Sequence, residues 1–291
     1  MERALYGPSG FFTLGGGAGR RGDFITSPEV GPLFGAVVAR ALAGRPVVIE
    51  AGAGRGTLAR AVKAAGWDGR WVCVERSDRL RAEAAAAGLE VAGELPDVSG
   101  TVVANELLDN LAFRLLERTS AGWAEVHVAG GREVLAPADR EPGIGAPVGA
   151  RVPLQEQAAG WVAEARQRGP LLVFDYADTT SSMARRPWLD WVRTYRRHGR
   201  GGHPLDQPGS QDITCEVAVD QLPLPARDRS QAEWLDDHGL DELVEEGRRI
   251  WHERAAVGDL AALRGRSRVR EAEALTDPAG LGAFRVLEWD G

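Results

Sequence analysis

Lysine is almost missing from this chain: Lys63 is the only one among 35 basic residues. The remaining positive charge is arginine, which together with abundant alanine and glycine reads as coding bias and not as a binding signature. An excess of positive charge is missing too. The formal net charge is −7, which excludes nucleic acid as a bulk electrostatic partner. Cysteine is limited to Cys73 and Cys215, too far apart for a metal or redox spacing, so reduced thiols in a cytoplasmic protein are expected. The five histidines are scattered, and no metal site is expected from them. No signal peptide, lipidation motif or apolar run long enough to span a bilayer is visible, so no membrane role is expected. What remains is a chain of 291 residues with 44% hydrophobic content. That is enough for an ample core in one elaborated domain, or a domain with a lobe.

The informative stretch is Pro46-Val47-Val48-Ile49-Glu50-Ala51-Gly52-Ala53-Gly54-Arg55-Gly56-Thr57-Leu58-Ala59. The β-branched run Val47 to Ile49 predicts a buried parallel strand. A glycine turn follows, and then Leu58, Ala59, Val62 and Ala65 recur at helical spacing. Glycines let a ligand approach the backbone, and a helix N-terminus offers unpaired N–H groups, so the unit suits a nucleotide. A dinucleotide fingerprint needs its third glycine where Thr57 stands. The observed G-x-G-x-G, with Glu50 closing the strand, resembles instead the first motif of class I S-adenosylmethionine (SAM) methyltransferases. Glu50 then meets the cationic amino-acid end of the cofactor, directly or through water. Arg70 to Glu75 predicts a second strand ending in an acid, the position that takes ribose hydroxyls in nucleotide-binding α/β folds. The plain alternative is a tight strand-to-helix turn with no ligand.

Upstream, Pro28 to Leu42 predicts one amphipathic helix, with Ser27 as its cap and Pro28 in its first position. Capping leaves Asp23, Phe24 and Glu29 unexplained. The blocks Ala4-Leu5-Tyr6, Gly10-Phe11-Phe12 and Gly22-Asp23-Phe24-Ile25-Thr26-Ser27-Pro28-Glu29-Val30 closely resemble the MidA-like methyltransferases. That family includes the mitochondrial arginine methyltransferase needed to assemble respiratory complex I. The likeness returns at Glu50 to Gly56, at Val74 to Ser77 with Leu80-Arg81, and at Ala104 to Asp109. It continues at Phe174-Asp175-Tyr176, Asp212-Ile213-Thr214, and Ser230-Gln231 with Trp234-Leu235. The resemblance implies an α/β fold with a class I, Rossmann-like methyltransferase sheet and a substrate lobe of inserted hairpin and loop elements. It implies SAM as cofactor, held by Asp23, Thr26, Ser27, Glu50, Gly52, Gly54, Gly56, Glu75 and Asn105, with Thr26 and Ser27 over its methionine end. Residues 1–45 are expected to complete the cofactor site. Residues 46–291 are expected to form the methyltransferase domain, with insertions at about 112–153 and 179–265.

Further strands are predicted near Leu89 to Ala92, at Thr101 to Ala104, at Leu171 to Phe174 and at Phe284 to Trp289. Helices are predicted from Ser77 to Ala87, from Gln155 to Arg168, near Gln231 to Asp237 and from Leu240 to Ala256. Phe113 to Arg118 and Trp123 to Val128 read as a hairpin, Pro137 to Pro153 as a loop, and Thr179 to Pro208 as an arginine-rich surface or a cover over the cleft. Glu94 to Asp97 is expected to form the adenine-side loop. Strand ends deliver Glu106, Asp109, Asp175 and Tyr176 to the ligand edge of the sheet, and these are the candidate catalytic residues. An arginine acceptor is cationic before reaction. Carboxylates are needed to bind it, orient a nitrogen lone pair and take a proton. The plain alternative makes Asp109 a helix cap and Glu106 a solvated loop residue.

The sequence departs from the family at Asp109-Asn110-Leu111-Ala112, which lacks the family's proline, and at Asp175-Tyr176-Ala177, where the family has glycine. The family's longer helix before Leu5-Tyr6 is expected to be entered midway by this chain. Three functions therefore stay open: a protein arginine methyltransferase with a protein or peptide partner, a methyltransferase of another acceptor, and a non-catalytic assembly factor. A homodimer is an open option. A dinucleotide oxidoreductase is disfavoured by Thr57.

Overall fold

The computed structural model describes residues 1–16, 25–196 and 199–291, and the chain is built on a seven-stranded sheet. In chain order its strands are β1 (Val47–Ala51), β2 (Arg70–Val74), β3 (Glu90–Ala92), β4 (Thr101–Asn105), β5 (Leu171–Asp175), β6 (Arg227–Ser230) and β7 (Arg285–Trp289). Their spatial order is β6-β7-β5-β4-β1-β2-β3. Only β7 runs antiparallel to its neighbours. The central strands read as unbroken apolar runs because helices cover both faces. The edge strand β6 is polar, and its charges pair across to β7 through Asp228–Arg285 and Arg229–Glu288. Such an edge resists pairing with another chain.

Each face carries its own core. On one, Phe34, Phe174 and Trp234 stack edge to face with ring centroids 5.2 and 4.8 Å apart. On the other, Ile49, Val102, Val162 and Trp289 are buried together. The chain runs outward from β1 to β3 and then returns to β4 on the far side of β1. Strand order reverses between β1 and β4, which opens a crevice at their carboxyl ends.

The single N-terminal helix expected from Pro28 to Leu42 is two helices, Ser27–Val30 and Pro32–Ala41, divided at Gly31. Ser27 is not the cap; Thr26 holds that position without a side-chain bond. The second helix starts anew because the Glu271 carboxylate accepts the Leu33 amide at 2.8 Å. A Cβ at Gly31 would lie 2.3 Å from that carboxyl carbon, so a side chain there would push the Glu271 carboxylate off the Leu33 amide. The expected hairpin forms between Arg114–Thr119 and Gly122–Ala129. The supposed loop after it contributes Arg151–Leu154, and with Arg132–Pro137 the hairpin widens into a four-stranded sheet.

Thr179 to Pro208 is likewise not featureless. It supplies Val192–Arg196 and Gly199–Arg200, which join Asp212–Cys215 in a three-stranded sheet. A helix over Leu260–Thr276, not predicted at all, packs against Leu240–Arg254. The pair meets backbone to backbone: a Cβ on Gly247 would sit 2.7 Å from the Gly265 carbonyl. Among the described residues, no helix is long and apolar enough to cross a membrane.

Candidate active site

The glycine turn leaves β1 in a conformation that L side chains rarely adopt. Gly52, Gly54 and Gly56 have φ of 71°, 53° and 71°, so the left-handed region is visited three times within five residues. At Gly54 a Cβ would meet nothing within 4 Å, because that side of the turn faces a cavity of ≈ 500 Å³. The helix Thr57–Ala64 begins at once behind it. Glu75, at the end of β2, holds the turn from the other side. Its Oε2 accepts the Gly54 amide at 2.8 Å and its Oε1 accepts the Ser77 amide at 2.7 Å. Burial pushes this carboxyl above its ordinary range, against the pull of those amides.

Glu50 also lines the cavity. Its Oε2 accepts the Trp71 indole N–H at 2.8 Å, and the Ala59 amide in the first turn of the helix donates to the carboxylate. Burial raises it to about 7 despite these donors. The Trp71 contact was not legible in sequence, and neither was the 2.7 Å bond from Thr57 Oγ1 to Glu29. The latter explains Glu29, which capping left over, and ties the N-terminal segment to the glycine turn. Thr26, Tyr6 and Phe12 close the same cavity, and Gly93, Glu94 and Leu95 line its far side. Asn105 lines it too. Its amide donates to Glu106 at 3.1 Å, while its buried Oδ1 has no hydrogen-bond partner.

Glu50, Glu75, Asn105 and Thr26, expected to hold a cofactor, all line this cavity. Ser27 does not. It is fully buried and its hydroxyl donates to Gln231 at 2.8 Å, away from the cavity. Asp23 lies outside the described residues.

A second cavity, of ≈ 330 Å³, adjoins the first, and Glu106 and Asn110 line both. Ile25 belongs to the second cavity and its neighbour Thr26 to the first. Glu106 follows β4 at φ 53°, a strained position for a residue with a Cβ. Its carboxylate accepts the Ser27 amide. Burial, then the nearby Asp109 charge, raises it to about 8. Asp109 is 3% exposed, and the Tyr176 phenol donates to its Oδ2 at 2.7 Å. Its buried Oδ1 has no hydrogen-bond partner. Burial lifts Asp109 to about 7, with the phenol pulling the other way.

Asp175, expected among the acids of the cleft, lines neither cavity. Its Oδ2 accepts the Leu108 and Asp109 amides at 2.9 and 3.3 Å, and its Oδ1 accepts the Tyr176 amide at 3.0 Å. Those bonds hold the turn Leu108–Asn110 that presents Asp109. Asp175 is thus engaged in shaping the loop.

The opposite wall is the three-stranded sheet seen from one face. Strand alternation points Arg193, Tyr195, Asp212 and Thr214 into the second cavity and Val192, Thr194, Ile213 and Cys215 into the core. Sequence reasoning gave Asp212 and Thr214 no role, although their two-residue spacing carried the signal. All three tyrosines of the chain line these cavities.

Comparison with known proteins agrees with this geometry. The profile of the family "Putative S-adenosyl-L-methionine-dependent methyltransferase" matches residues 36–236, more than two thirds of the chain. A COG1565 superfamily member from Burkholderia thailandensis, solved bound to S-adenosyl-homocysteine, is 27% identical with a TM-score of 0.82, and the match covers 100% of this chain and 86% of that one. An uncharacterized COG1565 superfamily protein from the same organism is 26% identical with a TM-score of 0.79, over 100% and 85% of the two chains. No curated protein matches.

Proposed function

The chain belongs to the family of S-adenosyl-L-methionine-dependent methyltransferases, and from that premise we propose that its acceptor is the guanidinium of an arginine side chain on a protein partner. The enzyme class and the cofactor follow from the family and from the S-adenosyl-homocysteine-bound relative. The glycine turn, with a Cβ-free face opening on the larger cavity, fits the cofactor. Glu75 retains lone pairs for ribose hydroxyls while bracing Gly54, and Asn105, which lines the same cavity, suits the cofactor's ammonium group. When bound, S-adenosylmethionine supplies an electrophilic methyl group on a sulfonium sulfur.

One observation carries the acceptor. Glu106, Asp109 and Asp212 line one small cavity, and Asp109 has a carboxylate oxygen that is buried without a hydrogen-bond partner. The carboxyls of Glu106 and Asp109 are pushed up to about 8 and about 7, and among the described residues neither forms an ion pair with Arg193 or Arg200, the arginines that line the same cavity. A guanidinium satisfies both: its fork of N–H donors matches carboxylate oxygens, and its charge returns the acids to their ionised forms. Glu106, at the junction of the cavities, orients the reacting nitrogen. The nitrogen that gains a carbon gives up a proton, and Glu106 or Asp109 receives it. Tyr176 fixes the rotamer of Asp109. The MidA-like sequence resemblance supports the same acceptor.

Steady-state kinetics of Asp109→Asn test the reading. The amide keeps the size and the Tyr176 contact but cannot take a proton or balance a cation. Turnover should fall about 10²-fold, the scale of one lost preorganised electrostatic group, with cofactor affinity nearly unchanged. Full turnover refutes the role.

A further inference from the structure

The second cavity is charged on two sides, and the acids account for only one of them. The register of the three-stranded sheet places Arg200 opposite Tyr195, and Tyr195 opposite Asp212. Arg200, Tyr195 and Asp212 therefore form one row across the wall of the cavity, and all three line it. With strands about 4.8 Å apart, the two ends of that row are separated by roughly 10 Å of backbone. One end joins the carboxylates, and the other presents an arginine.

The arginines here differ in what they hold. Arg193 is matched by Glu216 at 2.6 Å, and Arg186 shares that carboxylate and also binds Asp178. Among the described residues, Arg196 reaches only the neutral Gln207, at 3.1 Å. Arg200 is exposed, and its guanidinium makes no hydrogen bond or ion pair among the described residues. An uncompensated cation on the rim of a cavity in a chain of net charge −7 is positioned for an anion that arrives with the acceptor.

We propose that this cavity is bipolar and takes an acceptor whose cationic nitrogen is accompanied by a carboxylate, with Arg200 as the residue that reads that carboxylate. On a protein this is an aspartate or glutamate within a residue or two of the methylated arginine. The same chemistry exists in the free α-carboxylate of a small guanidino acid. The inference rests on the second cavity being the acceptor site, and it adds a determinant of which arginine is chosen.

Binding to the full chain loaded with S-adenosylhomocysteine tests both layers separately. Four capped pentapeptides combine a central arginine or glutamine with flanking aspartates or asparagines, and calorimetry gives Kd for each. Aspartate flanks should tighten the arginine peptide about fivefold at low salt, the upper end for an exposed ion pair. The gain should shrink in high salt. It should vanish in Arg200→Gln and reverse in Arg200→Glu, while the preference for central arginine over glutamine persists in both variants.

Equal affinity for the aspartate- and asparagine-flanked peptides, a flank preference that survives Arg200→Gln, or no binding by any peptide overturns the inference. A flank preference lost in Arg200→Gln, with no preference for central arginine over glutamine, leaves the carboxylate contact of Arg200 standing and sinks the guanidinium reading instead. Free arginine compared with its amide separates the sources. A carboxylate gain confined to free arginine, lost in Arg200→Gln, upholds the bipolar site and overturns the protein acceptor.

Discussion

Replacing Glu106 with glutamine should stabilise the protein, and more so as pH rises. In the folded chain the Glu106 carboxyl is lifted from its ordinary 4.5 to about 8, chiefly by burial. The folded state therefore binds this proton more tightly than the unfolded state does. Between about pH 4.5 and about pH 8 the native protein holds more protons, and stability falls as pH rises through that window. Each pKa unit corresponds to about 1.36 kcal/mol. Glu106 is half-buried and opens onto two cavities, so the full shift must be discounted, to about 2 kcal/mol. Asp109 and Asp175 add the same trend to both proteins, which makes the difference between wild type and variant the informative quantity. Urea unfolding near pH 5 should show the two close together, and near pH 8.5 Glu106→Gln should lead by about 2 kcal/mol. A difference that does not grow with pH would refute the claim that Glu106 stands as an uncompensated buried acid. Wild-type affinity for a cationic acceptor should rise over the same window, because the acid ionises there.

Two other substitutions separate the cofactor turn from the scaffold. Gly54→Val places a branched side chain at φ 53° and into the cavity, so S-adenosylhomocysteine binding should disappear by calorimetry while the protein stays folded; retained affinity would contradict the placement. Gly247→Leu forces the helix pair apart at the Gly265 carbonyl and should cost about 2–3 kcal/mol in denaturant unfolding. Cofactor affinity should change little, because Gly247 lines neither of the two cavities.

What was legible in sequence was local. The strand–glycine turn–helix unit is written in adjacent residues, and so are the acids that end β1 and β2. The helix Gln231–Asp237 was visible for the same reason, with Ser230 and Glu233 forming a capping box. Features set by distant partners were not legible. The break at Gly31 depends on Glu271, 238 residues from the amide it caps. The helix Leu260–Thr276 shows almost no apolar stripe, because two facing glycines make its closest contact through backbone. Asp175 and Ser27 looked like site residues from their positions, yet hydrogen bonds to backbone amides and to Gln231 direct them elsewhere. The three-stranded sheet was hidden by its arginines. Its strands are short, and half of each faces a polar cavity, so hydrophobic alternation is weak.

The most direct measurement is to incubate the enzyme with methyl-labelled S-adenosylmethionine and a matched cell lysate, and to locate the labelled atom by mass spectrometry. The expected result is label on a guanidino nitrogen of arginine in a protein, reduced about 10²-fold with Glu106→Gln or Asp109→Asn. Label on a carboxylate or hydroxyl oxygen, or undiminished labelling by both variants, would contradict it.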